Sequence, residues 1–408
     1  MLASHQLGMP KHICEWYTNI LKNAQYHIQL PTCTSEQSYS STDYQSLHFS
    51  GRGSQSAPSI WVYLSSIIMH CMKDKSRGIQ FNDPYNTVQF HQIMTGFVDD
   101  TTHWTNNFPA ALQGLYSQQA MYQDAQITAQ WWEQLLYSTG GKLELEKCFY
   151  YPIMWHFDEE GIPSLQDFDE DQPITIISSE NQEQVIINKK SPTSSHKTLG
   201  IMENPAGDYA DEYQQLISLA DKWKNSISHQ FLTRQECNLF YQNFFIPSMR
   251  YHLTVGTFTE QQLDRIQHPI TQLILPRLGF NGNMPKAVIY GPIQSGGMGF
   301  TSLSVIQAQQ KIKHVLKAYH LKTPLWNLMH ITFKWAQLVA GVSTDIFRDT
   351  SIELPALHKE LWITTLRCFL RESSLALCLP GIELPPLQRI NDEYIMDIII
   401  STLSLIHI

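Results

Sequence analysis

The pattern of apolar and polar positions predicts a first part of mixed helices and strands and a second part of helices. Residues 10–24 carry apolar side chains at helical spacing behind a proline, and residues 26–30 alternate between apolar and polar, as in a strand. Residues 34–55 are rich in Ser, Thr, Tyr and Gly without a period, which predicts a loop. Residues 58–72 form an apolar stretch that begins with proline, which predicts a buried helix.

The next stretch predicts a β-hairpin, a long helix and a strand. Residues 89–103 read as two short strands joined by a tight turn around an Asp-Asp pair. Residues 108–137 show helical periodicity that ends at two glycines, and the aromatic residues 149–157 predict a strand. Helices laid on strands are therefore expected in this part of the chain.

An acidic segment separates this part from the helical one. Residues 158–171 lack a period and residues 191–196 are turn-like, so we expect a surface excursion between the two, with short strands near Ile174 and Val185. After residue 208 the pattern is helical, and we place a domain boundary near Gly207. The candidate helices cover 208–230, 234–254, 259–276 and 303–320.

Composition and charge narrow the function classes. The chain has 408 residues, 43% of them hydrophobic, which excludes global disorder. The formal charge of −9 argues against a nucleic-acid partner, because phosphate binding needs Lys and Arg. However, nine carboxylates and no Lys or Arg lie between Asp158 and Glu183, so the rest of the chain is neutral and can carry a basic groove.

The cysteines and apolar runs predict an intracellular protein without a membrane segment. The seven cysteines are scattered and form no zinc-type cluster, which indicates reduced thiols. The first twelve residues lack the layout of a signal peptide. The longest apolar runs, 60–72 and 394–408, are shorter than the roughly 20 residues that a membrane helix needs.

Asp99 and Asp100 are the first candidate site. Adjacent carboxylates at the turn of a hairpin can hold magnesium, although such a pair is more often a solvated turn. Three further motifs surround the pair in order. They are Gly-Arg-Gly-Ser-Gln-Ser-Ala-Pro-Ser-Ile-Trp at 51–61, Gly-Gly-Lys-Leu at 140–143 followed by Lys147, and Thr-Leu-Gly at 198–200.

In this order the motifs resemble those of the reverse transcriptase family. That family carries a Q-G-x-x-x-S-P loop, an F/Y-x-D-D hairpin, a Gly-Leu segment followed by Lys, and a Leu-Gly primer grip. Residues 278–280, 285–292 and 296–300 resemble a region common after the thumb in non-LTR retrotransposon proteins. The resemblance covers about residues 1–320. It leaves residues 321–392, which favour helices, without an interpreted motif.

The resemblance implies an α+β fold made of a partial polymerase palm and helical regions. The palm would cover 1–207, with an acidic insertion near 158–184. A helical thumb would cover 208–277, and a helical C-terminal region of unknown role would cover 278–408.

The resemblance also implies catalytic roles. Asp99 and Asp100 would bind Mg²⁺ in a two-metal site, with Asp99 as the more direct ligand. Lys147 would protonate the leaving pyrophosphate, and the alternative is an ordinary exposed lysine after Glu146.

Binding roles follow in the same way. Gly51, Arg52, Gly53, Gln55 and Pro58 would contact the nucleotide or template. The chain departs from the family pattern in that loop, because arginine at 52 replaces glutamine and alanine at 57 replaces serine.

Leu199 and Gly200 would form the primer grip, with Lys197 before them. Thumb helices would hold the duplex, and a solvated charged face is the alternative. Their candidate contacts are Lys222, Trp223, Lys224, Arg234 and Arg250.

The implied activity is RNA-directed DNA synthesis from an RNA template, a DNA primer and deoxynucleotides. The family's first metal-binding aspartate would precede residues 2–10, so we expect a truncated chain that is inactive alone. Residues 403–408 resemble the translation of a library adapter, which would make that end an artefact. Two alternatives stay open: a degenerate, non-catalytic remnant that binds nucleic acid, and an unrelated helical scaffold whose Asp-Asp pair is a plain turn.

Overall fold

The computed structural model shows a mixed α and β chain, as expected. It forms two compact units, Met1–Gln80 with His91–Ser191, and Phe81–Phe90 with Pro192–Ile408. Gly207 lies inside the second unit. None of the described helices is long and apolar enough to cross a membrane. The structure describes residues 5, 8–23, 25–29, 34–40, 57–97, 100–106, 118–139, 141–159, 163–166, 173–352, 354, 357 and 361–384.

The described part of the first unit contains three longer helices and several two-stranded ladders. The helices are α1 (Lys11–Asn23), α2 (Ala57–Met72) and α3 (Gln118–Ser138). Leu145–Lys147 forms a 3₁₀ turn. The antiparallel ladders are β1 (Gln25–Gln29) with β2 (Thr34–Ser40), β5 (Met94–Phe97) with β6 (Asp100–His103), β8 (Met154–Phe157) with β9 (Pro163–Gln166), and β10 (Thr175–Ile177) with β11 (Gln184–Ile186).

Four more short strands lie in the described part of the chain up to residue 191. β7 (Phe149–Tyr150) and β12 (Asn188–Lys189) pair in parallel. β3 (Ile79–Asn82) and β4 (Gln89–Gln92) each extend into residues 81–90, which belong to the second unit.

The hairpin β5–β6 packs on helix α2. Met94 shares an apolar cluster with Ile68 and Met72 of that helix. A Cβ at Gly96 would lie 2.7 Å from the Met69 methyl group, so glycine lets strand and helix approach closely without displacing the end of that side chain. The apolar face of α2 thus positions the hairpin that carries Asp100.

Helix α3 hydrogen-bonds the edge of strand β10 through its side chains. Gln126, Gln130 and Glu133 lie on one helix face, at spacings of four and three residues. The Gln130 amide accepts from the Ile177 N–H at 2.8 Å and donates to the Ile177 carbonyl at 2.9 Å. Glu133 accepts from the N–H and hydroxyl of Ser179. These side chains pair backbone groups that a neighbouring strand would otherwise have to satisfy.

The second unit begins with the hairpin β13 (His196–Thr198) and β14 (Ile201–Glu203) and continues with helices. The 234–254 helix contains a π-turn at Tyr241–Phe245, just before Pro247, which has no N–H to donate to the preceding turn. The helices are α4 (Ala210–Ser228), α5 (Arg234–Phe240), α6 (Ile246–Val255), α7 (Glu260–Arg277), α8 (Lys286–Tyr290), α9 (Leu303–Leu321), α10 (Pro324–Ala340) and α11 (Trp362–Glu372).

One apolar core joins helices α4 to α7 to the segment that follows them. Leu216, Met249 and Ile270 of these helices share the cluster with Phe300 and Leu303. Gly297 approaches Gly291 so closely that a Cβ would lie 2.2 Å from the Gly291 carbonyl oxygen. The glycines of this segment are therefore required for packing. A second cluster is built from α9, α10 and α11 with residues 377–382.

Most predicted elements are confirmed. The helices and strands expected near 10–30, 58–72, 89–103 and 149–157 are present, as are the strands near 174 and 185 and the four later helices. The loop expected at 34–55 is wrong for Thr34–Ser40, which is a strand. All but one of its residues are polar, so no alternation identified it, and pairing with β1 forms it. Pro163–Gln166 is likewise a strand inside the acidic excursion.

Candidate nucleic-acid interface

The turn of the β13–β14 hairpin holds a leucine in an unfavourable backbone conformation. Thr198 pairs with Ile201, so Leu199 and Gly200 form a two-residue turn. Their φ angles are 50° and 95°, and such turns demand positive φ at both positions. Gly200 adopts this region freely, whereas a leucine there costs roughly 1–2 kcal/mol. Yet the Leu199 side chain is 43% exposed and gains little burial in return.

Two helices fasten the backbone of this turn. The Tyr251 hydroxyl of α6 donates to the Leu199 carbonyl at 2.9 Å. The Gln215 amide of α4 donates to the Gly200 carbonyl at 2.9 Å. The Met202 N–H on the following strand donates to Glu212 Oε2 at 2.8 Å. Hydrogen bonds on both sides of the turn therefore fix the tip relative to the helices.

Glu212 is the buried centre of this arrangement. Its side chain is fully buried, and His252 Nδ1 donates to its second oxygen, Oε1, at 2.5 Å. Gln215 also donates to Oε2, at 3.1 Å. A buried carboxylate is tolerated only when its oxygens are hydrogen-bonded, and Glu212 meets that condition with three donors. Glu212 thus links β14, α4 and α6.

The outer surface around the turn is aromatic and basic. Tyr251 is 51% exposed. Lys197 on strand β13 and Arg250 on helix α6 are also exposed. Exposed aromatic rings stack on nucleic-acid bases, and Lys and Arg contact phosphates.

The residues predicted to contact the duplex from the thumb helices differ in their surroundings. Lys222 and Lys224 are exposed on α4. Trp223 instead packs against Phe240 and donates its indole N–H to Ser248 Oγ at 3.0 Å, so it supports the core. The Arg234 guanidinium lies against Gly279.

Of the predicted metal ligands, only Asp100 lies within the described residues. It is exposed at the start of β6, and Asp99 precedes it outside those residues. Among the residues that the structure describes, no group of three His, Cys, Asp or Glu side chains is placed to hold a metal ion. The Mg²⁺ site stays a prediction.

Of the other predicted site residues of the first unit, the structure describes Lys147 and Pro58. Lys147 is exposed in the 3₁₀ turn. Nearby, Lys142 pairs with Glu180 at 2.5 Å, and hydrogen bonding to Glu180 raises the pKa of Lys142. Pro58 lies in the first turn of α2. The loop residues Gly51, Arg52, Gly53 and Gln55 lie outside the described residues.

His103 is a buried group that sequence reasoning missed. It ends strand β6, and its ring lies 4.7 Å from the ring of Trp132. Both ring nitrogens are buried, with no hydrogen-bond partner among the described residues, and burial lowers the pKa of His103 to about 4. His103 is therefore a neutral ring in the support of the Asp100 hairpin.

Comparison with known proteins gives no further assignment. Neither a scan against protein-family models nor a search of curated proteins returns a match.

Proposed function

We propose that the chain belongs to the reverse transcriptases of the non-LTR retrotransposon kind and that its β13–β14 hairpin contacts the end of a nucleic-acid primer. The observation that carries this proposal is Leu199, a strained and exposed leucine at a turn whose backbone is fastened on both sides. Backbone strain persists where surrounding structure enforces it, and it clusters at sites of ligand contact.

The chemistry of the tip suits a primer end. Leu199 and Tyr251 offer an apolar and an aromatic surface to a terminal base or sugar, while Arg250 and Lys197 offer cations to phosphates. The hydrogen bonds to Tyr251, Gln215 and Glu212 hold this surface in place before any ligand arrives. A preorganised surface binds with a smaller loss of conformational entropy.

The first unit supports the same proposal. Its Asp100 hairpin packs on the helix that follows Pro58, through Gly96 and Met69. A carboxylate-bearing hairpin beside that helix is what the reverse transcriptase resemblance predicts. Asp99 and Asp100 are the residues that would hold Mg²⁺ there, and Mg²⁺ would supply charge stabilisation for nucleotidyl transfer.

The test is binding of a labelled duplex with a recessed 3′ end, compared with a blunt duplex of the same length. We expect preference for the recessed end. Leu199→Ala should weaken binding to it roughly tenfold, equivalent to about 1.4 kcal/mol. Leu239→Ala is the matched control, because Leu239 is 53% exposed on α5 of the same unit. Equal affinities of Leu199→Ala and the unaltered chain for the recessed duplex would contradict the proposal.

A second candidate is a degenerate remnant that binds nucleic acid without catalysis. Arginine at position 52 and alanine at position 57, where the family has glutamine and serine, favour it. Such a remnant would bind both duplexes equally and with strong salt dependence. Primer extension adds a separate test: we expect no product from this chain alone, and a product that needs template and magnesium and is lost in Asp100→Ala would show a competent polymerase.

A further inference from the structure

One long segment of the second unit contains no carboxylate. Residues 265–344 include eight Lys or Arg and no Asp or Glu, although the whole chain has 37 acidic and 28 basic residues. The segment runs from helix α7 through α10. A stretch this long without acids, in an acidic protein, concentrates positive charge on one part of the fold.

Several of these cations already have structural partners. The Lys311 ammonium is buried, donates to the Gly256 carbonyl at 3.0 Å, and has its pKa lowered by burial to about 8. Lys334 pairs with Asp83 and Lys286 with Asp264. Arg277 donates to the Ser228 carbonyl, and the Lys322 ammonium lies 3.9 Å from the centre of the Tyr319 ring. These five side chains serve the fold.

Lys313 and Lys317 on helix α9 differ from these five side chains in their surroundings. Both are exposed, and neither forms an ion pair with a carboxylate of the residues that the structure describes. They are one turn apart, a rise of about 6 Å, and His320 lies on the same helix face. The opposite face of α9, with Leu303, Ile306 and Val315, is buried.

This exposed face carries an uncompensated positive field. Like charges four residues apart destabilise a helix by roughly 0.2–0.5 kcal/mol, and within the described residues no ion pair of Lys313 or Lys317 offsets that cost. The neighbouring His314 responds to the field: burial, then Lys317 and Lys311, lower its pKa. A bound anion would relieve the repulsion.

We propose that Lys313, Lys317 and His320 form a second contact surface for the phosphate backbone of a nucleic-acid duplex, distinct from the hairpin turn. Helix α9 packs on α6, which carries Tyr251 and fastens that turn, so both surfaces belong to one core. Phosphates complement a basic face whose lysines form no ion pair with the described carboxylates. The inference shares its nucleic-acid ligand with the proposed function and in that respect rests on it.

The experiment is the salt dependence of binding to a blunt RNA–DNA duplex, which has no recessed primer end. The full chain is compared with Lys313→Gln, Lys317→Gln and the control Lys286→Gln. Each test variant should lower the slope of log affinity against log salt by about 1, because one phosphate contact is lost. The control removes the same charge from a lysine already paired with Asp264, and its slope should not change.

Each result of the salt-dependence experiment either supports or overturns the proposed contact surface on helix α9. Reduced slopes in the two test variants with unchanged melting temperatures support the surface, and they do so even if the recessed end is not preferred and the primer-grip proposal fails. Slopes equal to that of the unaltered chain overturn it. Equal losses in all three variants also overturn it, because total charge alone would then explain binding. Binding to anionic lipid vesicles but not to the duplex would overturn it in favour of a membrane surface.

Discussion

The two hairpins that the sequence singled out are supported in opposite ways. The first, β5–β6, rests on apolar side chains: Met94 packs against helix α2, and His103 lies against Trp132 without a hydrogen bond. The second, β13–β14, is held by polar groups centred on the buried Glu212. Apolar support is non-directional, whereas hydrogen bonds fix the position and angle of a strand.

This difference indicates where precise positioning matters in the second unit. Buried polar networks that are fully hydrogen-bonded specify one arrangement, and they become costly when one member is lost. The second unit repeats this device in Asp83, which accepts from Lys334, Thr87 and the Val88 N–H.

The largest expected effect is that of Glu212→Ala. It removes the acceptor for Met202, Gln215 and His252 in a fully buried position, so we expect a loss of about 4 kcal/mol in the free energy of unfolding. Urea unfolding measures it. Glu260→Ala, at an exposed position in the first turn of α7, should leave the midpoint nearly unchanged. A loss no larger than that of the control would show that the network is dispensable.

Breaking the Asp83–Lys334 pair should cost slightly less. Lys334→Met leaves a buried carboxylate without its cation, and we expect a loss of about 3 kcal/mol. The exposed Lys317→Met serves as the control. The double variant Asp83→Asn with Lys334→Met should be more stable than Lys334→Met alone, because no unpaired charge remains. A double variant that is less stable than Lys334→Met would contradict this account.

The elements could be predicted from sequence because their signals are local. Prolines at positions 10 and 58 begin two helices, and apolar spacing defines the rest. The polar support could not be predicted. Asp211 and Glu212 are adjacent acids in the first turn of α4, which reads as a solvated pair near a helix N-terminus. Only the packing of the hairpin makes Asp211 exposed and Glu212 buried.

The same limit applies to the edge of strand β10. Glutamines at 126 and 130 on an amphipathic helix predict solvent contact, yet they hydrogen-bond a strand nearly fifty residues later in the chain. Within the candidate nucleic-acid interface, the order of the sequence motifs predicted that Leu199 and Gly200 matter. The strain in Leu199 was not predicted, because backbone conformation is set by the pairing of Thr198 with Ile201.

Between pH 6.5 and 4, acid should weaken the first unit more than the second, because burial shifts the pKa of His103 further than the pKa values of His314 and His330 in the second unit are shifted. Burial lowers the pKa of His103 from 6.5 to about 4, so the stability that the neutral ring allows is complete above pH 6.5 and is lost as pH falls towards 4, by about 3 kcal/mol. Burial alone would raise the pKa of Asp83, but hydrogen bonds from Val88, Thr87 and Lys334 lower it to about 2. Its contribution is therefore lost only between about pH 4 and pH 2.

Hydrogen exchange of helices α3 and α7 at pH 7, 5 and 4 measures this order. Protection of α3 should fall first, and His103→Phe should remove most of the fall between pH 6.5 and 4, since phenylalanine fills the same place against Trp132 without titrating. Simultaneous loss of protection in both helices would refute the assignment to His103.

The smallest effect separates strain from function at the second hairpin. Leu199→Asn keeps the turn, because asparagine tolerates positive φ better than leucine, and should stabilise the chain by about 0.5–1 kcal/mol. Gln182→Asn relieves a similar φ of 59° in the first unit and controls for the conformational gain. If Leu199 contacts the primer end, Leu199→Asn gains stability but loses affinity for the recessed duplex, whereas Gln182→Asn changes stability alone. A gain in stability with full affinity would mean that the strained leucine has no part in binding, and the primer-grip proposal would lose the observation that carries it.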